Sequence, residues 1–157
     1  MKLKTAITAA VLTSGIVLSA CGGGDGSSTT TQAQTTPPSG ASGKTLEIVM
    51  DDYTFSPSDA TANAGRVTIS APNTGQLVHE LVLAKTDADA GALPTTSDGE
   101  VDEAKLEARG EDAGEIADVE AQDTKEGTFK LTPGRYVMFC NIPGHYAQGM
   151  YGTLTVH

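Results

Sequence analysis

Short stretches that alternate apolar and polar residues constrain the fold of this chain more than any other feature. From about residue 45 they are rich in Val, Ile, Thr, Tyr and Phe, and Gly, Pro, Asn or Asp separates them. Seven or eight such strands predict an all-β fold, a Greek-key antiparallel β-sandwich. Between Glu100 and Glu111, good helix formers with charges three or four residues apart predict a short helix or an acidic loop insertion.

The alternation also predicts which side chains face the core. His79 is expected to point inward among leucines, and Cys140 to lie at the end of a strand. The predicted inward-facing sets are Leu46, Ile48 and Met50; Val67, Ile69 and Ala71; Leu77, His79, Leu81 and Leu83; Phe129 and Leu131; Tyr136, Met138 and Cys140; and Leu154 and Val156.

The first twenty residues have the pattern of a secretory signal peptide, with a basic start and an apolar stretch too short to span a membrane. The sequence Leu18-Ser19-Ala20-Cys21 resembles the lipobox of bacterial lipoproteins, which implies cleavage before Cys21 and lipidation of its thiol. An ordinary signal peptide cut near Ala20 is the alternative. In both cases the domain is exported, to the periplasmic or extracellular side of a membrane.

Three segments follow from these patterns. Residues 1–20 form the signal peptide, and residues 21–44, mostly Gly, Ser, Thr, Gln and Pro, form a flexible, lipid-anchored linker. Residues 45–157 form one folded domain. After removal of the signal the chain has eight basic and twenty acidic residues, a net charge of −12, which excludes nucleic acid as an expected partner. Fourteen of the acidic residues lie between Thr86 and Glu126.

The residues from Cys140 to Met150 combine a thiol, an imidazole and a thioether with the spacing C-x4-H-x4-M, with His145 between them. His79 supplies a second imidazole from another strand. Two imidazoles, one thiolate and a weak axial thioether are the ligand set of a blue copper electron-transfer site. Each residue alone has an ordinary explanation, such as a buried thiol or a packed methionine, but the combination predicts one type 1 copper.

The segment from Tyr136 to Val156 resembles the copper loop of cupredoxins, in particular the azurin, rusticyanin and auracyanin group. Asn73-Thr74-Gly75 ahead of His79 resembles the same family, and the likeness covers about Leu46 to His157. It implies an eight-stranded sandwich, one copper, and electron exchange through the edge of His145. The small apolar patch expected around that histidine consists of Ile142, Pro143, Gly144, Ala147 and Gly149.

The predicted function is therefore a single-electron carrier at the outer face of a membrane, associated with it through the lipidated N-terminus. The expected partners are redox proteins such as a cytochrome or a membrane oxidoreductase, and the chain is expected to be a monomer. An enzyme is disfavoured because three histidines and one loop cysteine cannot build a second copper centre. Zinc is disfavoured because a thioether is a poor zinc ligand. A copper storage or delivery protein is the alternative.

Overall fold

A computed structural model describes residues 45–157, and the predicted signal peptide, linker and Cys21 lie outside the described residues. The described part contains ten strands, one short α-helix and two 3-10 turns. The strands are β1 (Leu46–Glu47), β2 (Val49–Asp51), β3 (Thr54–Ser56), β4 (Asp59–Ala62), β5 (Gly65–Pro72), β6 (His79–Lys85), β7 (Asp112–Val119), β8 (Thr124–Leu131), β9 (Gly134–Phe139) and β10 (Tyr151–Val156). Helix α1 spans Glu103–Ala108, and the 3-10 turns span Ala90–Ala92 and Tyr146–Gln148.

Two sheets and a hairpin make up the sandwich. The larger sheet has the strand order β4-β10-β9-β6-β7, the smaller has the order β1-β5-β8, and β2 pairs with β3. Most pairs are antiparallel, whereas β1 with β5 and β10 with β4 are parallel. The predicted all-β sandwich with a short helix is confirmed.

The main core lies between the sheets and contains most of the alternating residues that the sequence predicted. Ile69 from the smaller sheet and Leu81, Leu83 and Leu154 from the larger one are completely buried there. Burial of a side chain of this size contributes about 1.5–3 kcal/mol. This core supports the strand ends on which the functional residues lie.

A second core covers the other face of the larger sheet. Val137 and Phe139, expected to alternate outward on β9, are completely buried because the connection between β6 and β7 packs over them. Leu93, Val101 and Leu106 of that connection supply the covering side chains. Helix α1 in this segment is capped at its N-terminus by Asp102, whose carboxylate accepts a hydrogen bond from the Lys105 N–H.

Two details differ from the sequence predictions. Leu77, predicted to face the core, is 38% exposed because β6 begins only at His79 and the preceding residues form a loop. The acidic stretch from Thr86 to Glu126 is only partly an insertion, since its second half forms β7 and the start of β8. None of the helices in residues 45–157 has the length and hydrophobicity needed to cross a membrane.

Candidate metal centre

Two adjacent strands bring the first two candidate ligands to the same end of the larger sheet. His79 is the first residue of β6, and Cys140 directly follows β9. The two strands are antiparallel, so the start of one lies beside the end of the other, with Val82 opposite Phe139. The fold thereby brings together two side chains that are 61 residues apart in the sequence.

The loop from Cys140 to Met150 supplies the other two candidate ligands and is held by its own backbone. The Cys140 N–H donates to the Met150 carbonyl at 3.1 Å, and the Met150 N–H donates to the His145 carbonyl at 3.1 Å. Gly149 ends the 3-10 turn with a φ of 98°, a left-handed conformation that favours glycine. The loop is therefore closed by protein contacts alone.

Three donor atoms converge in a compact triangle. His79 Nδ1 lies 3.1 Å from His145 Nδ1, and Cys140 Sγ lies 3.3 Å from His145 Nδ1 and 4.0 Å from His79 Nδ1. These three residues form the only group of metal-ligating side chains of this kind among residues 45–157. The point equidistant from the three atoms lies about 2 Å from each, close to the length of a metal–nitrogen bond.

Burial differs among the candidate ligands. His79, Cys140 and Met150 have no exposed surface, and His145 is 6% exposed. Met150 belongs to the same buried cluster as Cys140. The centre is thus shielded from water, and of the four residues His145 alone reaches the surface.

Burial also sets the protonation of the two titratable groups in the loop. It raises the pKa of the Cys140 thiol to about 11, although the backbone N–H groups of Glu80 and Ile142 oppose this shift. Burial and the neighbouring His79 lower the pKa of His145. A neutral imidazole can bind a metal directly, whereas the thiol needs the charge of a bound cation to lose its proton.

The hairpin turn between β2 and β3 contributes two residues that the sequence did not single out. The Asp52 carboxylate lies 3.4 Å from His79 Nε2, the ring nitrogen that faces away from the triangle. The ring of Tyr53 meets the His145 ring edge-on, with centroids 5.1 Å apart, and Tyr53 is 37% exposed. No local sequence pattern links this turn to His79 and His145, which lie at least 26 residues further along the chain.

The insertion between β6 and β7 is attached to the ligand loop at two points. The Asn141 side chain accepts from the Val101 N–H at 2.6 Å and donates to the Val101 carbonyl at 3.1 Å. The Tyr146 hydroxyl donates to the Ala90 carbonyl at 2.8 Å and accepts from the Leu93 N–H at 2.9 Å. The insertion therefore lies beside the site and contacts the residues that follow Cys140 and His145.

Glu80 connects the two ligand-bearing segments, because it directly follows His79 and contacts the residue after Cys140. Its carboxylate accepts a hydrogen bond from the Asn141 N–H at 2.9 Å. Burial raises the pKa of Glu80 to about 7; the Asn141 N–H lowers it, and the nearby Glu115 and Glu103 raise it. Neither Glu80 nor Asn141 was predicted to be part of the site.

Four of the five residues of the predicted apolar patch around His145 are exposed in the structure. Ile142 is partly buried against the main core, whereas Pro143, Gly144, Ala147 and Gly149 are exposed. Tyr53 and Leu77, two of the largest exposed apolar side chains, come from other loops.

The donor set fits a type 1 copper ion on its chemistry. Soft thiolate favours the cuprous ion, imidazole suits the cupric ion, and the three atoms lie at a spacing that one metal ion can bridge. The fold and the site together define a β-sandwich copper protein.

The comparison with known families agrees. Residues 44–157 match the model of copper binding proteins of the plastocyanin/azurin family, so the chain belongs to that family. Its cofactor is one type 1 copper.

Solved structures show the same fold. The reduced auracyanin of the photosynthetic bacterium Roseiflexus castenholzii is 26% identical, with a TM-score of 0.57 over 72% of this chain and 96% of that one. Auracyanin A of Chloroflexus aurantiacus, described as a "blue" copper protein, is 25% identical, with a TM-score of 0.53 over 72% and 98%. An azurin of Methylomonas sp. strain J is 22% identical and supports the fold alone, with a TM-score of 0.54 over 71% and 96%.

A curated relative is the copper-resistant cuproprotein CopI of Rubrivivax gelatinosus. It is 29% identical over 121 residues, which are 72% of this chain and 66% of the relative. The chain thus spans slightly less than two thirds of the relative's length.

Proposed function

We propose that the protein is a single-electron carrier whose copper is held by His79, Cys140, His145 and Met150. The observation that carries the proposal is the buried triangle of two Nδ1 atoms and one Sγ, separated by 3.1 to 4.0 Å. Bound copper supplies a one-electron couple. Membership of the copper-binding family supports a carrier rather than an enzyme.

The protein's own residues keep the donor atoms in place while the charge of the site changes. Cys140 and His79 are fixed by the ends of β9 and β6, and His145 and Met150 by backbone hydrogen bonds within the loop. A site that needs little rearrangement exchanges electrons rapidly. We propose that the electron enters and leaves through His145, the proposed exit, because it alone of the four ligands retains solvent exposure.

The cellular setting belongs to the same proposal. Lipidation of Cys21 would tether the domain to the outer face of a membrane, and the linker of residues 21–44 would let it reach redox partners such as a cytochrome or a membrane oxidoreductase. The sequence Leu18-Ser19-Ala20-Cys21 supports this location. The intact mass of the purified chain tests it, since an N-terminal Cys21 without acyl chains would contradict the tether.

The decisive experiment is the visible and electron paramagnetic resonance spectrum of the full chain after loading with cupric ion. We expect an intense thiolate-to-copper band and a narrow copper hyperfine splitting, both lost on reduction with ascorbate. Cys140→Ser should abolish both signals and keep the β-sheet circular dichroism, because most of the core lies elsewhere. His157→Ala, at the exposed third histidine, is the matched control and should keep the colour. A colourless wild-type protein would contradict the proposal.

The similarity to CopI favours copper handling as a second candidate function. A storage or delivery protein would release its metal, whereas a carrier retains it through each redox cycle. The two are distinguished by the transfer of cuprous ion from the reduced protein to a chelator: retention over many redox cycles supports the carrier, and rapid release supports delivery.

A further inference from the structure

We propose that Asp52 is a positioning residue that fixes the orientation of His79 and lowers the reduction potential of the copper. The inference rests on the proposed function, because it concerns a residue behind one of the proposed ligands. It assigns a role to the turn between β2 and β3, which supplies none of the four ligands.

One oxygen of the carboxylate serves three donors. Asp52 Oδ1 accepts from the Gln76 N–H at 2.9 Å and from the Leu77 N–H at 3.2 Å, and it lies 3.4 Å from His79 Nε2. The two backbone donors hold the carboxylate in place. It therefore stays beside the histidine without depending on the weaker third contact.

The contact determines which nitrogen of His79 carries the proton. A carboxylate can only accept a hydrogen bond, so the ring nitrogen that faces it must be the protonated one. That nitrogen is Nε2, which leaves the Nδ1 lone pair free on the side of Cys140 and His145.

The negative charge acts on the redox equilibrium as well. An anion near the metal stabilises the cupric state more than the cuprous state, since the cupric ion carries the greater charge. The contact is longer than a strong hydrogen bond, but the charge still acts across it. Asp52 thus favours the oxidised form and lowers the potential.

Gly75 shows that the loop is shaped around this carboxylate. A Cβ at Gly75 would lie 2.4 Å from Asp52 Oδ1 and 2.9 Å from the Asp52 backbone nitrogen. An alanine would therefore displace the carboxylate from His79 while leaving the net charge unchanged. Gly75→Ala separates the effect of the contact from the effect of the charge.

The test is the reduction potential of the copper-loaded full chain with Asp52→Asn, compared with Asp51→Asn. Asp51 is the adjacent, exposed carboxylate, and its side chain accepts from the Asp52 N–H, not from a histidine. We expect Asp52→Asn to weaken cupric relative to cuprous binding about tenfold, which raises the potential by about 59 mV. Asp51→Asn should have a smaller effect that disappears at high salt. Gly75→Ala should raise the potential in the same direction as Asp52→Asn.

A second measurement uses the metal-free protein. Nitrogen NMR should find His79 in the Nε2-protonated tautomer in the wild type and in a mixture of tautomers in Asp52→Ala. Equal potentials for Asp52→Asn and Asp51→Asn, with an unchanged tautomer in Asp52→Ala, would overturn the inference while leaving the copper site intact. A wild-type protein without a blue band would instead overturn the proposed function, and the inference with it.

Discussion

At the scale of single residues, the donors differ in whether the metal-free protein already favours the protonation state that binds a metal. Burial and the adjacent His79 lower the pKa of His145, which favours the neutral ring that can bind a metal without first losing a proton. The Cys140 thiol has a pKa raised to about 11 by burial and becomes a thiolate only with a cation beside it. Binding of copper at this site would therefore release a proton from the thiol.

Met150→Leu tests the contribution of the thioether. Leucine has a similar volume, so the fold should lose less than about 1.5 kcal/mol. We expect the blue colour to persist and the potential to rise, because the axial donor that stabilises the cupric state is removed. Voltammetry measures the change, and Met138→Leu is the matched control, since Met138 is equally buried in the same core. Equal potentials for the two variants would count against Met150 as a ligand.

At the scale of elements, the insertion between β6 and β7 forms a second core and supports the ligand loop. Two residues of the ligand loop, Tyr146 and Asn141, are hydrogen-bonded to the insertion, and Phe139 of β9 packs against it. Tyr146 directly follows His145, and Asn141 directly follows Cys140. The insertion can therefore restrict the loop without contributing a ligand.

Tyr146→Phe removes one of these anchors. The Ala90 carbonyl and the Leu93 N–H would lose their common partner, which should lower the free energy of unfolding by about 1–3 kcal/mol. Urea denaturation measures this loss, and Tyr151→Phe, at a tyrosine that is 36% exposed, should have a smaller effect. The copper spectrum should remain, because no donor is changed. Equal stability of the two variants would contradict the anchoring role.

The sequence predicted the elements that carry strong local patterns. Alternation identified β5 and β9, and residue types at a fixed spacing identified the ligand loop. Strand β7 was missed because its charged side chains resemble a loop; only Ile116 and Val119 of this edge strand are buried. The prediction that Leu77 faces the core was wrong because its backbone N–H is bound to the Asp52 carboxylate. That contact spans 25 residues, and no local sequence pattern indicates it.

At the scale of the whole molecule, negative charge dominates. Residues 45–157 contain seven basic and nineteen acidic side chains. Asp51 ends β2 and Asp52 lies in the turn that follows. The next residue, Tyr53, contacts the His145 ring, so part of this charge is close to the proposed exit. A charge of one sign near such a site attracts reagents and partners of the other sign.

Electron exchange with small charged reagents tests this field directly. We expect the reduced protein to react faster with a cationic cobalt(III) phenanthroline complex as the ionic strength falls, and more slowly with anionic ferricyanide. The reason is that salt at about 0.1 M screens charges beyond roughly 10 Å, so the attraction and the repulsion both grow as salt is removed. Stopped-flow decay of the reduced state at several salt concentrations gives both slopes. Slopes of zero for both reagents would show that the acidic residues do not steer partners to His145. There would then be no electrostatic reason to expect a basic redox partner.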